Sequence, residues 1–478
     1  MSHSTADSSS TPLLATFLDL LQAYRGTVRQ ERVFVRLAHL SLGSVLTLGR
    51  QTISQMLVVL GIGGSDWSAW YRLFNAARLD LGSIYRILVR QVVAVIPTTA
   101  SAIVVGVDGT QLPRSRRTVP GCGFTVSPRS PKWQRGLHYA QRFVGISALL
   151  PQSASGDSRA IPLRWLLLRT AKTTPMGEEP ERTEGQGALE LIAWLRERLD
   201  AEGRAHQPLL VVADGAYSNA KVLAPLPERT MLFARCAKNR ALFALPVYRR
   251  EGRGRQPRYG ERGPTPTEAL HEPTRWDEYP LMVRGRSIPV SAKVTGPWLI
   301  RGAPFHPVLL VVVRGVDRGK GTTRRQRDPQ FFLVSVQMRS EDEWDLAVPL
   351  SACLAWAWQR WEVEVMHREL KSSFGVGQQQ AFSDTGAATV IPWIVWIYAL
   401  LILTGYRTWQ LGPGTVPDLA GWWHPRRWSF GRLWQGLRGE LWQAGDFQPV
   451  WSRSPDTWAE ITTWIAAQTN ATMGVRRL

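Results

Sequence analysis

Three carboxylates occupy positions where a side chain can be held still enough to do chemistry. Asp108 closes the short apolar, β-branched run Ala102-Ile103-Val104-Val105-Gly106-Val107, and Asp214 closes a second run, Pro208-Leu209-Leu210-Val211-Val212-Ala213. Loops at the carboxyl ends of strands are where α/β sheets carry their sites. Each aspartate is followed by glycine, which leaves backbone freedom and room for a ligand, although an Asp-Gly pair alone is an ordinary turn. The third carboxylate is Glu364, in Arg360-Trp361-Glu362-Val363-Glu364-Val365-Met366-His367-Arg368-Glu369-Leu370-Lys371. Helical spacing places Arg360, Glu364, His367 or Arg368, and Lys371 on one face, with Val363, Met366, Leu370 and Phe374 as an adjacent apolar stripe. Taken alone, that pattern equally describes a surface helix with weak ion pairs. Taken together, two strand-borne aspartates and a helical glutamate suit a two-metal site. Hard oxygen donors favour Mg²⁺, with Mn²⁺ as a substitute, and two such ions about 4 Å apart activate an attacking oxygen and stabilise a leaving one.

The charge balance points to what would be attacked. Lys and Arg number 58 against 38 Asp and Glu, a formal +20, which suits a polyanion. No acidic residue lies between Asp108 and Asp157, whereas Arg114, Arg116, Arg117, Arg129, Lys132, Arg135 and Arg142 all do. This stretch reads as a phosphate track. Arg235, Lys238 and Arg240 follow another strand-like run and are candidate DNA contacts. Cys122, Cys236 and Cys353 are too scattered for a disulfide framework or a zinc site and fit a reducing cytoplasm. The first residues lack a secretory pattern. The uncharged stretch 385–406 is long enough to span a bilayer, but one such stretch in so basic a chain reads better as a buried core helix, and no membrane partner is expected.

The elements that must position these residues follow from the patterning. Residues 1–12 are polar and Ser-rich and are expected to be disordered. Residues 13–98 read as a helical N-terminal domain in which helix, glycine-rich turn and helix are compatible with DNA contact. Residues 99–236 alternate strands with a helix, as in a mixed α/β sheet. Residues 237–345 mix Arg/Gly/Pro-rich stretches such as Arg249–Arg258 with strand-like runs and read as a β-rich insertion. Residues 346–405 resume with a long helix from Leu350 to about Phe374 and then the apolar helix. Residues 406–478, Trp-rich and basic with Trp422-Trp423-His424-Pro425-Arg426-Arg427-Trp428, read as a helical C-terminal domain.

These residues carry a resemblance. A strand ending in Asp, a second ending in Asp214-Gly215-Ala216-Tyr217, a β-rich interval, then Arg-Trp-x-Val-Glu with Lys seven residues after the Glu, resembles the cut-and-paste insertion-sequence transposases of the DDE superfamily. The similarity spans about 45 to 405. It is similar to the branch whose last catalytic helix carries a Tyr-x-x-Arg-x-x-x-Glu-x-x-x-x-x-x-Lys signature. Arg360, Glu364 and Lys371 match that spacing, whereas the tyrosine position is Ala357, between Trp356 and Trp358.

The resemblance implies an RNase H-like core interrupted by a β insertion and flanked by helical domains. It implies two Mg²⁺ ions on Asp108, Asp214 and Glu364, phosphates held by Arg360 and Lys371, and terminal nucleotides touched by Tyr217. It also implies a tryptophan stacked on a flipped base, Trp298 or Trp276. The partners would be the terminal inverted repeats and target DNA, bound by a dimer in a bacterial cytoplasm. Three alternatives stand beside this reading: a catalytically inactive DNA-binding relative, which retention of all three carboxylates disfavours; an RNase H-fold nuclease that cuts without joining; and a membrane-associated protein built on 385–406.

A phosphate-dominated interface has a direct signature. Affinity for duplex DNA should fall steeply between about 50 and 200 mM salt, as a fluorescence-anisotropy titration would show; a flat response would remove the phosphate track.

Overall fold

The computed structural model describes residues 11–443 except 63, 65, 77, 117, 128–129, 132, 154–155, 174–180, 248–255, 284–285, 315–327, 339–343 and 416–423. The first ten residues, the run 249–255, Arg117, Arg129, Lys132, Trp422, Trp423 and the chain beyond 443 therefore lie outside the described residues.

The N-terminal part is helical: α1 (Pro12–Gln22), α2 (Glu31–Leu46), α3 (Ile53–Val59), α4 (Ser68–Asn75) and α5 (Leu81–Val93). Helix α1 opens with proline at its first position, where no amide partner is needed, and buries Leu13, Leu14, Phe17, Leu20 and Leu21 along one stripe. Thr52 and Asp80 cap α3 and α5 by accepting from the amides of Gln55 and Ser83.

The sheet begins with β1 (Ile103–Pro113), β2 (Cys122–Val126), β3 (Leu137–Leu150) and β4 (Arg159–Leu168). It crosses over through α6 (Glu184–Ala201) to β5 (Leu209–Ala213), and then through the short α7 (Ala220–Leu223) to β6 (Thr230–Arg235). Strand β1 is antiparallel to β3, and β3 to β4; β1, β5 and β6 are mutually parallel. The order β4-β3-β1-β5-β6, three antiparallel strands followed by two parallel ones, is compatible with an RNase H-like core. Every residue of β5 is buried, as a parallel strand covered on both faces must be.

The β-rich residues 237–345 do not stand apart from this sheet. After the short α8 (Pro266–His271) come β7 (Asp277–Val283), β8 (Arg286–Ile300), β9 (Ala303–Val313) and β10 (Gln330–Ser335). They extend the sheet beyond β6 in the order β10-β9-β8-β7, each pairing antiparallel. A small ribbon follows, β11 (Gln337–Met338) with β12 (Trp344–Asp345).

The single helix expected from Leu350 to about Phe374 is instead α9 (Leu350–Gln359) and α10 (Trp361–Arg368), which meet at Arg360 and end in a π-helical turn over Glu369–Ser373. Helix α11 (Asp384–Trp409) contains the uncharged stretch 385–406. Ser383 caps it, and it is buried almost throughout. It is apolar and long enough to cross a membrane, yet nearly all of its most apolar stretch is inside the protein, packed on β4, α1, α4 and α5. Tyr24 meets Trp396 edge-on at 4.8 Å and Phe74 meets Trp393 at 4.9 Å. The last described helix is α12 (Phe430–Gln443), which also packs on α1, α2 and α11.

One contact sets the distance between sheet and α10. A Cβ added at Gly106 would lie 2.5 Å from Cγ2 of Val363, so this helix reaches β1 only because residue 106 has no side chain. Gly106→Ala should therefore cost about 1–3 kcal/mol of unfolding free energy, and adding Val363→Ala should recover part of that loss. Urea unfolding of the parent, both single variants and the double variant would check this; strictly additive losses would refute the contact.

Candidate active site

Each strand-end carboxylate is placed by the register of the sheet. Asp108 lies within β1 opposite Gly145 of β3, and its Oδ1 accepts from the Gly109 amide at 2.9 Å. On the other side of β1, Val107 pairs with Ala213, so Asp214, the next residue, emerges beside Asp108. Glu364 arrives from the opposite direction, one residue after the Val363 that packs on Gly106. Opposite Asp108, Gly145 leaves space for the ring of Trp165: an added Cβ would meet Trp165 Cδ1 at 2.5 Å. His367 stands edge-on against that ring at 5.4 Å, with Nδ1 3.7 Å from Asp108 Oδ2.

Arg360 ties the helix to the strand. Its Nη2 is 2.7 Å from Glu364 Oε1, and its Nη1 is 4.0 Å from Asp108 Oδ2. The guanidinium sits where the break between α9 and α10 leaves it facing inward.

The electrostatics describe a site short of positive charge. Burial pushes the Asp108 carboxyl up to about 6. Arg360 and the Gly109 amide oppose that rise, and the nearby Glu364 and Asp214 carboxylates add to it. Burial, reinforced by the positive charges of Lys371 and Arg360, pushes His367 down to about 3, so its imidazole is neutral at ordinary pH.

These residues suit a hard divalent cation in donor chemistry: three carboxylates, with Asp108 disfavoured in its charged form by burial and, to a smaller degree, by the other two. The arrangement as it stands is nevertheless closed around Arg360, and among the described residues no three His, Cys, Asp or Glu side chains are close enough to hold a metal. The guanidinium is the cation that stands beside Glu364 and Asp108 here.

A family model described as DDE superfamily endonuclease matches residues 25–287, more than half of the chain. The chain belongs to this superfamily. Membership makes it a transposase-like, nucleic-acid-cleaving enzyme. The matched region includes Asp108 and Asp214 and ends before Glu364. No individual curated protein matches the chain.

The endonuclease holds a fourth carboxylate at this end of the sheet that sequence reasoning missed. Glu184, in the first turn of α6, accepts from the Tyr217 hydroxyl at 2.9 Å and pairs with Arg142 at 2.5 Å. It also fills the space in front of Gly109, where an added Cβ would collide with its carboxylate. Burial and the surrounding Glu184, Asp108 and Asp214 carboxylates all raise the Tyr217 phenol. In the sequence Glu184 looks like an acidic residue favoured at a helix start, between the capping residues Thr183 and Gln186. Only the tertiary pairing reveals its second use. Tyr217, expected to touch nucleotides, is buried and occupied in binding the Asp214 turn to Glu184.

The other candidates separate. Arg235 and Lys238 are exposed at the end of β6, while Arg240 donates to the Ser218 carbonyl. In the basic stretch, Arg142 serves Glu184, and Arg114 donates to Gln141 and to the carbonyls of Gly377 and Gln379. Those two hold structure, whereas Arg116 and Arg135 are exposed. Trp298 donates to Thr295 Oγ1 at 3.1 Å and covers Gly263. Trp276 lies beneath Lys293 and Arg314. Of the neighbouring acids on α10 and its π turn, Glu362 pairs with Arg427, and Glu369 with Arg159 and Tyr398, so both are structural. His138 bonds Gln111. Beside the site opens a cleft of about 980 Å³, lined among others by Ala213, Arg235, Arg286, Trp358, Arg360 and Trp361.

The raised Asp108 carboxyl has a sign. A carboxyl whose folded value lies above its unfolded one favours folding below the unfolded value, and that contribution is lost as pH rises through about 6. In chelator, Asp108→Asn should therefore be more stable than the parent above pH 6, by at most about 3 kcal/mol, with the gap closing towards pH 4. Urea unfolding at several pH values would show it; a variant no more stable than the parent at neutral pH would contradict the burial of this charge.

Proposed function

We propose that this endonuclease is a cut-and-paste DNA transposase of the Tyr-Arg-Glu-Lys branch, with Asp108, Asp214 and Glu364 as its catalytic and metal-binding carboxylates. The reading rests chiefly on one observation. Glu364, which lies beyond the matched region, is joined through Arg360 to Asp108, which Asp214 flanks across the sheet.

Two Mg²⁺ ions, when bound, would polarise the attacking and leaving oxygens of a phosphodiester. The chain's own residues do the rest. Arg360, on leaving Glu364, moves from neutralising a carboxylate to holding a non-bridging phosphate oxygen, a task its fork suits. Lys371, two turns along from Glu364, supplies a second positive charge to the strand. Neutral His367 and the Trp165 ring wall the inner side of Asp108 against water. Glu184 fixes the Asp214–Tyr217 turn, and the cleft lined by Arg235, Arg286, Trp358 and Trp361 receives the strand.

In the first reaction the oxygen of water attacks phosphorus and the 3′-oxygen leaves, taking a proton to become a hydroxyl. In the second, that 3′-hydroxyl oxygen attacks a target phosphodiester and releases another 3′-hydroxyl, so one bond replaces another. The substrates are the terminal inverted repeats and the target DNA, held by a dimer in the cytoplasm. Residues 237–345 act as the β insertion, and α11 serves as a core helix rather than a membrane span.

The test is Mg²⁺-dependent cleavage of DNA carrying the repeats that flank the gene, parent beside Glu364→Gln. Nicking at the repeat boundary that drops at least about a thousandfold in the variant, and joined product in the parent, are expected. Cutting without joining would favour the nuclease alternative. Binding without cutting in either protein would favour the inactive DNA-binding alternative.

A further inference from the structure

The β2–β3 hairpin extends beyond the catalytic end of the sheet and carries an uncovered apolar face. Asp108 is level with Gly145 on β3, whereas the hairpin ends at the Val126–Leu137 pair. That pair lies eight residues further along β3, roughly 27 Å of strand at ~3.4 Å per residue. Phe124, Val126 and Leu137 share one face of this ribbon, because Phe124 stands opposite Tyr139 and Val126 opposite Leu137. They are 60%, 43% and 67% exposed, and Trp133, in the turn between the strands, is 88% exposed. A soluble surface rarely gathers four large apolar side chains on so short a ribbon without a use for them.

The charge around this face selects the occupant. From residue 109 to residue 156 there is no aspartate or glutamate. Arg135 in the turn is exposed, and Arg116 on the approach to β2 is exposed and lies over the Phe382 ring at 5.2 Å. Two copies of so positive a surface repel one another, and an acidic polymer is attracted. A two-stranded ribbon is also of a size that the major groove of B-DNA admits.

We propose that the β2–β3 hairpin is a DNA-gripping ribbon, in which Trp133 stacks on bases at a distance from the cut while Arg135 and Arg116 hold backbone phosphates. The inference rests on the reading of the chain as a DNA enzyme and adds a contact to it away from the carboxylates. Stacking of an aromatic ring on an exposed base is sequence-tolerant, so Trp133 at the ribbon's tip suits bases that are unpaired or opened beside the groove. The ribbon thus grips the duplex and leaves the chemistry to the sheet.

The experiment measures affinity by fluorescence anisotropy in chelator. The probes are a fluorescein-labelled duplex from the DNA flanking the gene and a random duplex of equal length, each over a range of salt. Trp133→Ala should weaken binding about 5- to 100-fold with an unchanged salt slope, since no charge is removed. Trp133→Phe should retain most of the affinity, and Arg135→Ala should reduce the slope by about one. Trp133→Ala binding as tightly as the parent would overturn the inference and leave the transposase reading intact. A parent that binds neither duplex would overturn both. Should Trp133→Ala convert a DNA-free dimer into a monomer in sedimentation, the face would be a self-association surface, and the inference would fall.

Discussion

The close approach of Val363 to Gly106 governs what this chain can do. A helix can lie this near a strand only where the strand presents no side chain, and the absence of a Cβ at residue 106 brings α10 within reach. Two residues along the strand is Asp108; one residue along the helix is Glu364. Strand-borne and helix-borne carboxylates come to lie on either side of Arg360 because two unlike elements touch at one small residue. The parallel pairing of β1 with β5 then adds Asp214 without further help. The same logic recurs at Gly145, whose missing side chain admits the Trp165 ring and, through it, His367.

A cluster of like charges assembled in this way must be neutralised. Arg360 does so for Glu364 and Asp108, and Arg142 and Tyr217 do so for Glu184. The two solutions differ in permanence. Glu184 is satisfied on both oxygens, by a pair and a hydrogen bond. Asp108 is half-buried, and its carboxyl is pushed up to about 6, chiefly by that burial. The site thus combines one settled carboxylate, Glu184, with one, Asp108, that its surroundings disfavour in the charged form.

Much of this was legible in the residues because strands and helices leave periodic traces. The runs ending at Asp108 and Asp214 are continuous and apolar, and both are buried strands. The stripe Val363, Met366, Leu370 and Phe374 faces inward as its spacing requires. Three things could not be read. The break at Arg360 has no proline or glycine to announce it, and the residue keeps helical backbone angles, so no local signal marks it. The strands of 237–345 show period and apolarity but not which edge they join, so their extension of the central sheet was invisible. Glu184 lies far from the other carboxylates in sequence and carries the signature of a helix start, which hides its place beside Gly109. The basic stretch was legible as charge but not as usage: Arg114 and Arg142 turned inward to partners that only the fold supplies.

The packing of α1 against α11 and α12 also bears on how the chain comes into being. The Leu14 amide donates to Glu440 across a separation of 426 residues, and Tyr24 closes on Trp396. At a synthesis rate of ~5–20 residues per second, the first helix waits roughly 20–85 s for the partner that covers its apolar stripe. Contacts that join the two ends of a chain form late, and non-local pairing of this kind slows folding. A chain interrupted before α11 lacks the helix on which Tyr24 and Phe74 pack, and leaves those rings facing water.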